Sequence, residues 1–123
     1  GGELARCSLA LKCALSVSGR ACTLIFDEAD QGVGGAVAAA IGERLAELAK
    51  DRQVFAVTHS PQVASAATRQ WRVMKELSAE DQVFTHVAQL DDGQRLEEIA
   101  RMLSGSSITN EARAAALKLL EAA

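Results

Sequence analysis

Thr23-Leu24-Ile25-Phe26-Asp27-Glu28 decides how the rest of the chain is read. The continuous apolar run from Cys22 to Phe26 has the pattern of a strand buried on both faces, as in a parallel sheet. Two carboxylates follow at once, at the end of the strand where open α/β sheets bind their ligands. Downstream, Val54 to Val57 reads as a second buried strand, ending in Thr58-His59. Between the two lie a glycine-rich loop, Asp30 to Gly35, and a helix to about Lys50, with Val37, Ile41, Leu45 and Leu48 on its inner stripe. Ser60 reads as an N-cap and Pro61 as a first helical residue, opening a short helix to about Ala67. The alternation of strand and helix means α/β with a parallel sheet. Two strands make a small sheet, so the pattern expects further strands beside them.

The flanking segments complete the outline. Glu3 to Ser18 reads as a helix with Leu4, Ser8, Leu11 and Leu15 on one stripe and Gly19 as its stop. Arg69 to Glu76 and Gln82 to Leu90 alternate polar and apolar residues and read as an antiparallel hairpin with one wet face. Helices are expected over Gln94 to Leu103 and, behind Thr109 as N-cap, over Asn110 to Ala122. Residues 1–123 thus read as one unit, without an internal repeat.

Four constellations carry chemistry. Asp27 is suited to a Mg²⁺ ion, because hard cations take oxygen ligands. Glu28 is suited to orienting and deprotonating a water. The pair also fits a solvated acidic loop after a strand. Gly1-Gly2-Glu3 opens a helix, where free N–H groups and the dipole favour phosphate; it also fits a terminus with no ligand. His59 could hydrogen-bond a γ-phosphate, or be an ordinary loop histidine. Asp30 with Gly32, Gly34 and Gly35 also suits a plain tight connection.

Taken in order, the four resemble the second half of an ABC-type ATPase head, over Gly1 to about Ala67. The resemblance identifies Gly1, Gly2 and Glu3 as the tail of the signature motif, without the Ser that usually precedes it. It makes Asp27 the Walker B carboxylate and metal residue, Glu28 the catalytic base, Asp30 the D-loop residue and His59 the switch histidine. Three segments resemble the RecN family of SMC-like ATPases in particular: Asp30-Gln31-Gly32-Val33-Gly34-Gly35-Ala36, Val57-Thr58-His59-Ser60-Pro61-Gln62-Val63-Ala64 and Arg95 to Gly105. Ser60 stands where Leu is common in that family. The resemblance reaches Ile108-Thr109.

It implies an ATP- and Mg²⁺-dependent ATPase of bacterial DNA double-strand-break repair, cytoplasmic and nucleoid-associated. Its partners would be the N-terminal P-loop half of the same head, a second head across two ATP molecules, and DNA for the full protein. The sequence contains no Gly-x-x-x-x-Gly-Lys followed by Ser or Thr, and Lys12, Lys50, Lys75 and Lys118 lie outside any glycine loop. The chain alone is therefore expected to be inactive. The missing P-loop, and an opening on Gly1 rather than Met, read as part of a longer protein. A transporter's nucleotide-binding domain shares this chemistry, but the loop after Glu28 and the segment from Arg95 to Gly105 argue against it. A non-enzymatic interaction module would explain the missing P-loop, but not Asp27, Glu28 and His59 together.

Composition narrows the alternatives. The net charge is −3, whereas a free-standing DNA-binding module is usually basic. Aromatics are 3% with no Tyr, so a base-stacking platform is not expected. Cys7, Cys13 and Cys22 are odd in number with no CxxC spacing, and read as reduced, buried thiols. No stretch has the length and apolarity of a membrane span, so no membrane partner is expected. Within the late segment, Leu96, Ile99 and Leu103 read as a core stripe. Arg95, Glu97, Glu98 and Arg101 read as a solvated face with an i,i+4 pair from Glu97 to Arg101. Trp71 reads as packing rather than a binding anchor, and His86 as structural or exposed.

Overall fold

The computed structural model describes residues 10, 23–77 and 81–123. Of the helix expected over Glu3 to Ser18 only Ala10 is described, and it is helical. Gly1, Gly2, Glu3 and the three cysteines lie outside the described residues.

Strand β1 (Thr23–Asp27) pairs in parallel with β2 (Gln53–Val57), Thr23 opposite Gln53 and Asp27 opposite Val57. Helix α1 (Gly35–Leu48) connects them. Its buried residues are Ala38, Ile41, Gly42 and Leu45, an i, i+3, i+4, i+7 stripe. Ile41 and Leu45 lie on the stripe expected from the sequence and Leu48 packs against it, whereas Val37 is exposed. Helix α1 lies close against the short helix α2 (Pro61–Ser65) at Gly42. A Cβ on Gly42 would stand 3.0 Å from the Gln62 carbonyl oxygen and 3.1 Å from Ala66 Cβ. A small residue is therefore needed at this crossing. Gly42→Val is expected to destabilise the chain by about 1–3 kcal/mol through overpacking, read as a lower urea midpoint; an unchanged midpoint would contradict the close crossing.

Two hydrophobic clusters meet at α2. Phe26, Ala38, Ile41, Leu45 and Val63 form the first, beneath the parallel sheet. Ala64, Ile99, Ala100, Ala112 and Ala116 form the second, between helices α3 (Asp92–Ser104) and α4 (Asn110–Glu121). Adjacent residues Val63 and Ala64 thus join different clusters. Ser60 is the N-cap of α2 and Pro61 opens it, as expected, although the Ser60 hydroxyl goes to Gln62 Oε1 at 2.9 Å rather than to a cap amide. Helix α3 starts on a full capping box: the Asp91 carboxylate accepts from the Gln94 N–H at 2.8 Å, and Gln94 Oε1 accepts from the Asp91 N–H at 3.0 Å. Thr109 caps α4 as expected, accepting from the Ala112 N–H at 3.1 Å.

The antiparallel hairpin forms from β3 (Trp71–Leu77) and β4 (Val83–Gln89), with Val73 opposite Val87 and Leu77 opposite Val83. Trp71 is exposed and packs edge-on to Phe55, ring centres 6.5 Å apart. His86 is exposed, 3.5 Å from the Glu76 carboxylate.

Two expectations about burial are corrected. The parallel strands are covered on one face only, by α1; on the other, Ile25, Phe55 and Val57 are exposed among the described residues. The hairpin has no dry face among them either, since Trp71, Val73, Leu77, Val83 and Val87 are exposed. The register places these last five on one side of the hairpin, because alternate residues of a strand share a face.

The late polar residues are not a plain solvated face. Glu98 is buried and accepts both Nε and Nη2 of Arg101, at 3.0 and 2.6 Å, with Arg72 of β3 3.4 Å away. Arg101 thus pairs with Glu98, not Glu97. Arg95 donates to the Ala67 carbonyl at 2.7 Å, tying α3 to the end of α2. Leu103 is partly exposed, while Ile99 is fully buried. Glu97 instead accepts Nε and Nη2 of Arg113 on α4, at 2.7 and 3.1 Å. These hydrogen bonds, aided by the Arg113 charge, hold the Glu97 carboxyl below the ordinary carboxylate range. A lowered folded-state pKa adds stability above the unfolded value and loses it as pH falls through the folded one. The stability gap between the parent chain and Glu97→Gln should therefore shrink on acidification from neutral pH; a gap independent of pH would contradict the pairing.

Candidate functional site at the ends of the parallel strands

The register sets Asp27 beside Val57, so the carboxylate pair and Thr58-His59 leave the sheet at the same, C-terminal edge. The ladder continues one step past the strands, where the Glu28 N–H donates to the Val57 carbonyl at 2.9 Å. Asp27, Glu28 and His59 are all exposed there. This edge is therefore open to a ligand, with two carboxylates on one strand end and an imidazole on the next.

Glu28 sits in the left-handed region, with φ +48°. That conformation costs a residue with a Cβ about 1–2 kcal/mol. It turns the chain sharply off the strand, and the Gln31 N–H closes the turn onto the Glu28 carbonyl at 3.0 Å. Gly32 follows with φ +71°, a position that glycine takes without cost. Strain of this kind persists where the surrounding structure or function demands it. Glu28→Gly and Glu28→Ala both remove the carboxylate, but only glycine relieves the backbone. Glu28→Gly should be the more stable of the two by about 1 kcal/mol in thermal or urea melts. Equal stability would contradict the positive φ.

Asp30 behaves differently from its neighbours. It is 5% exposed, and its carboxylate accepts the Thr58 hydroxyl. Thr58 Oγ1 also accepts the Ser60 N–H at 2.9 Å. Beyond Ser60, the Gln62 amide closes over the start of α1, where a Cβ on Gly35 would meet Gln62 Nε2 at 3.4 Å. A polar chain from Asp30 through Thr58 and Ser60 to Gln62 thus supports the strand ends from beneath. The sequence reading singled out Asp30 but not Thr58. The available signal was the combination itself: an acidic residue in a tight loop needs a donor if it turns inward, and a hydroxyl stands at the end of the adjoining strand.

Gly1, Gly2 and Glu3 lie outside the described residues, so their position against this edge is not given. Among the described residues, no group of three or more His, Cys, Asp and Glu side chains is placed to hold a metal ion. One exposed carboxylate is nevertheless a fitting partner for Mg²⁺, which keeps several waters and takes phosphate oxygens. A shallow groove lies elsewhere, lined by Arg95, Leu96, Leu117 and Leu120, and none of the strand-end residues borders it.

The fold has a counterpart among solved structures. A solved chain from work on the structural biochemistry of ATP-driven dimerization and DNA-stimulated activation of SMC ATPases superposes with a TM-score of 0.68. The match covers 87% of this chain and 63% of that one at 19% identity. At that identity the likeness concerns the fold alone. Sequence comparison is more particular. The chain is 45% identical over 98% of its length to the DNA repair protein RecN of Xylella fastidiosa, and 43% identical over its whole length to that of Vibrio cholerae. It is 46% identical over its whole length to that of Mycobacterium leprae. Over these spans the chain is similar to RecN, and it covers about a fifth of the length of those relatives. No family model matches the chain.

Proposed function

We propose that this chain is the C-terminal part of an ATP-hydrolysing head in a RecN-like protein of DNA double-strand-break repair. The observation that carries the reading is the shared strand edge of Asp27, Glu28 and His59, in a chain similar to RecN over nearly its whole length. In this reading Glu28 orients a water against the γ-phosphorus and accepts its proton. As the water oxygen bonds to phosphorus, the bond to the β–γ bridging oxygen breaks, and its electron pair leaves with ADP. His59 donates a hydrogen bond to the γ-phosphate. Asp27 would hold a Mg²⁺ ion, whose charge would offset that of the phosphates. Gly1, Gly2 and Glu3 would meet the nucleotide bound by a second head, so that ATP draws two heads together and hydrolysis parts them.

The phosphate cradle must come from elsewhere in the protein. The exposed Ile25, Phe55 and Val57, continued by Trp71 and the apolar side of the hairpin, support a covering layer on this face. The N-terminal P-loop half of the same head is its occupant in this reading. DNA is a partner of the full protein. No described helix is long and apolar enough to cross a membrane, and the repair role implies a cytoplasmic, nucleoid-associated protein.

The reading requires that the chain by itself binds Mg-ATP poorly, because its sequence has no Gly-x-x-x-x-Gly-Lys followed by Ser or Thr to cradle the β- and γ-phosphates. Isothermal titration of the isolated chain with Mg-ATP should show no saturable binding in the micromolar range; micromolar affinity would contradict the reading.

A further inference from the structure

The Glu28 turn and the His59 loop are joined through one hydroxyl. Thr58 Oγ1 gives its proton to the buried Asp30 carboxylate and takes the Ser60 N–H into a lone pair. A threonine hydroxyl has one proton to give and two lone pairs, so its donor is fully committed. The two bonds frame His59, since Thr58 and Ser60 are its immediate neighbours. They also reach Glu28, since Asp30 stands two residues beyond it, inside the turn closed by the Glu28 carbonyl. Burial makes this link costly to break, because a carboxylate with 5% exposure has little water to replace a lost donor.

We infer that Thr58 is a positioning residue, which holds the Glu28 turn and the His59 loop in one fixed relative arrangement through Asp30. The inference rests on the proposed roles of Glu28 and His59. Neither Thr58 nor Asp30 needs to touch nucleotide for it to hold. Misplacing a water-orienting carboxylate against a phosphate-contacting imidazole costs turnover more than ground-state binding, since alignment matters most at the transition state.

The test uses the complete head with Thr58→Val, which keeps the shape and removes the hydroxyl, and with Thr58→Ser, which restores it. Both are assayed beside the parent and Glu28→Gln, at a temperature where each is fully folded by circular dichroism. The expected result is a fall in kcat of about tenfold or more for Thr58→Val, with KM for ATP within about threefold, and recovery in Thr58→Ser. Amide exchange at Glu28 to Gln31 should quicken in Thr58→Val although the substitution lies on the other loop. If Glu28→Gln is inactive while folded Thr58→Val keeps the parent kcat, the inference about Thr58 falls and the ATPase reading stands. Loss of kcat in both Thr58→Val and Thr58→Ser also overturns it, because the hydroxyl would then not be the operative group. If Glu28→Gln turns over like the parent, the ATPase reading falls, and the inference with it.

Discussion

Glu28→Gln in the complete head should lower kcat for ATP by about 10²–10⁴-fold, the usual contribution of a positioned general base. Binding of ATP should persist, because the amide keeps the size of the carboxylate and the phosphates are held by other groups. The substitution should also leave the fold intact, since Glu28 is exposed and its backbone makes the structural contacts. Its N–H extends the ladder to Val57 and its carbonyl closes the turn to Gln31, and glutamine keeps both. Under the proposed mechanism, a head so altered would bind ATP and stay in the engaged state. Pre-steady-state quench-flow separates the steps. A lost chemical step with retained nucleotide binding agrees with the account, and parent-like hydrolysis removes Glu28 from the mechanism.

Phe55→Asp should disrupt assembly instead of chemistry. Phe55 lies at the middle of the bare sheet face, paired in register with Ile25 and in edge contact with Trp71. It is 42% exposed here, so the ring lies at the surface rather than inside either core cluster. An aromatic anchor of an interface contributes about 2 kcal/mol or more when buried by its partner. Replacing it with a charge should weaken association of this chain with the N-terminal half by roughly thirtyfold or more. Sedimentation or calorimetry of the two parts reads this directly. An unchanged affinity would place the partner on another face.

These two positions also show what the sequence told and what it withheld. Both parallel strands, their order and the hairpin followed from apolar runs and alternation, and the caps at Ser60 and Thr109 followed from residue type. Sequence pattern reports that Ile25, Phe55 and Val57 need cover. It does not report how much of that cover a given element supplies, and among the described residues Ile25, Phe55 and Val57 stay exposed. On α1 the large residues gave Ile41 and Leu45 correctly but also pointed to Val37, whereas the small Ala38 and Gly42 complete the inner face. Along α3, charge spacing matched Glu97 to Arg101, but Glu98 and Arg113 were nearer in three dimensions. At the candidate site, position along the strands placed Asp27, Glu28 and His59 at one edge of the sheet, where the register has them. The inward turn of Asp30 onto Thr58 depends on the φ of Glu28 and the register of two loops, which spacing alone does not encode.

The most direct test of the central claim is ATP turnover by this chain mixed with the N-terminal half of its own head, each part also assayed alone. The account predicts no turnover from either part, turnover on mixing, and its collapse when the mixture carries Glu28→Gln. A folded, nucleotide-binding mixture that hydrolyses no ATP, or that hydrolyses it equally well with Glu28→Gln, would contradict the account.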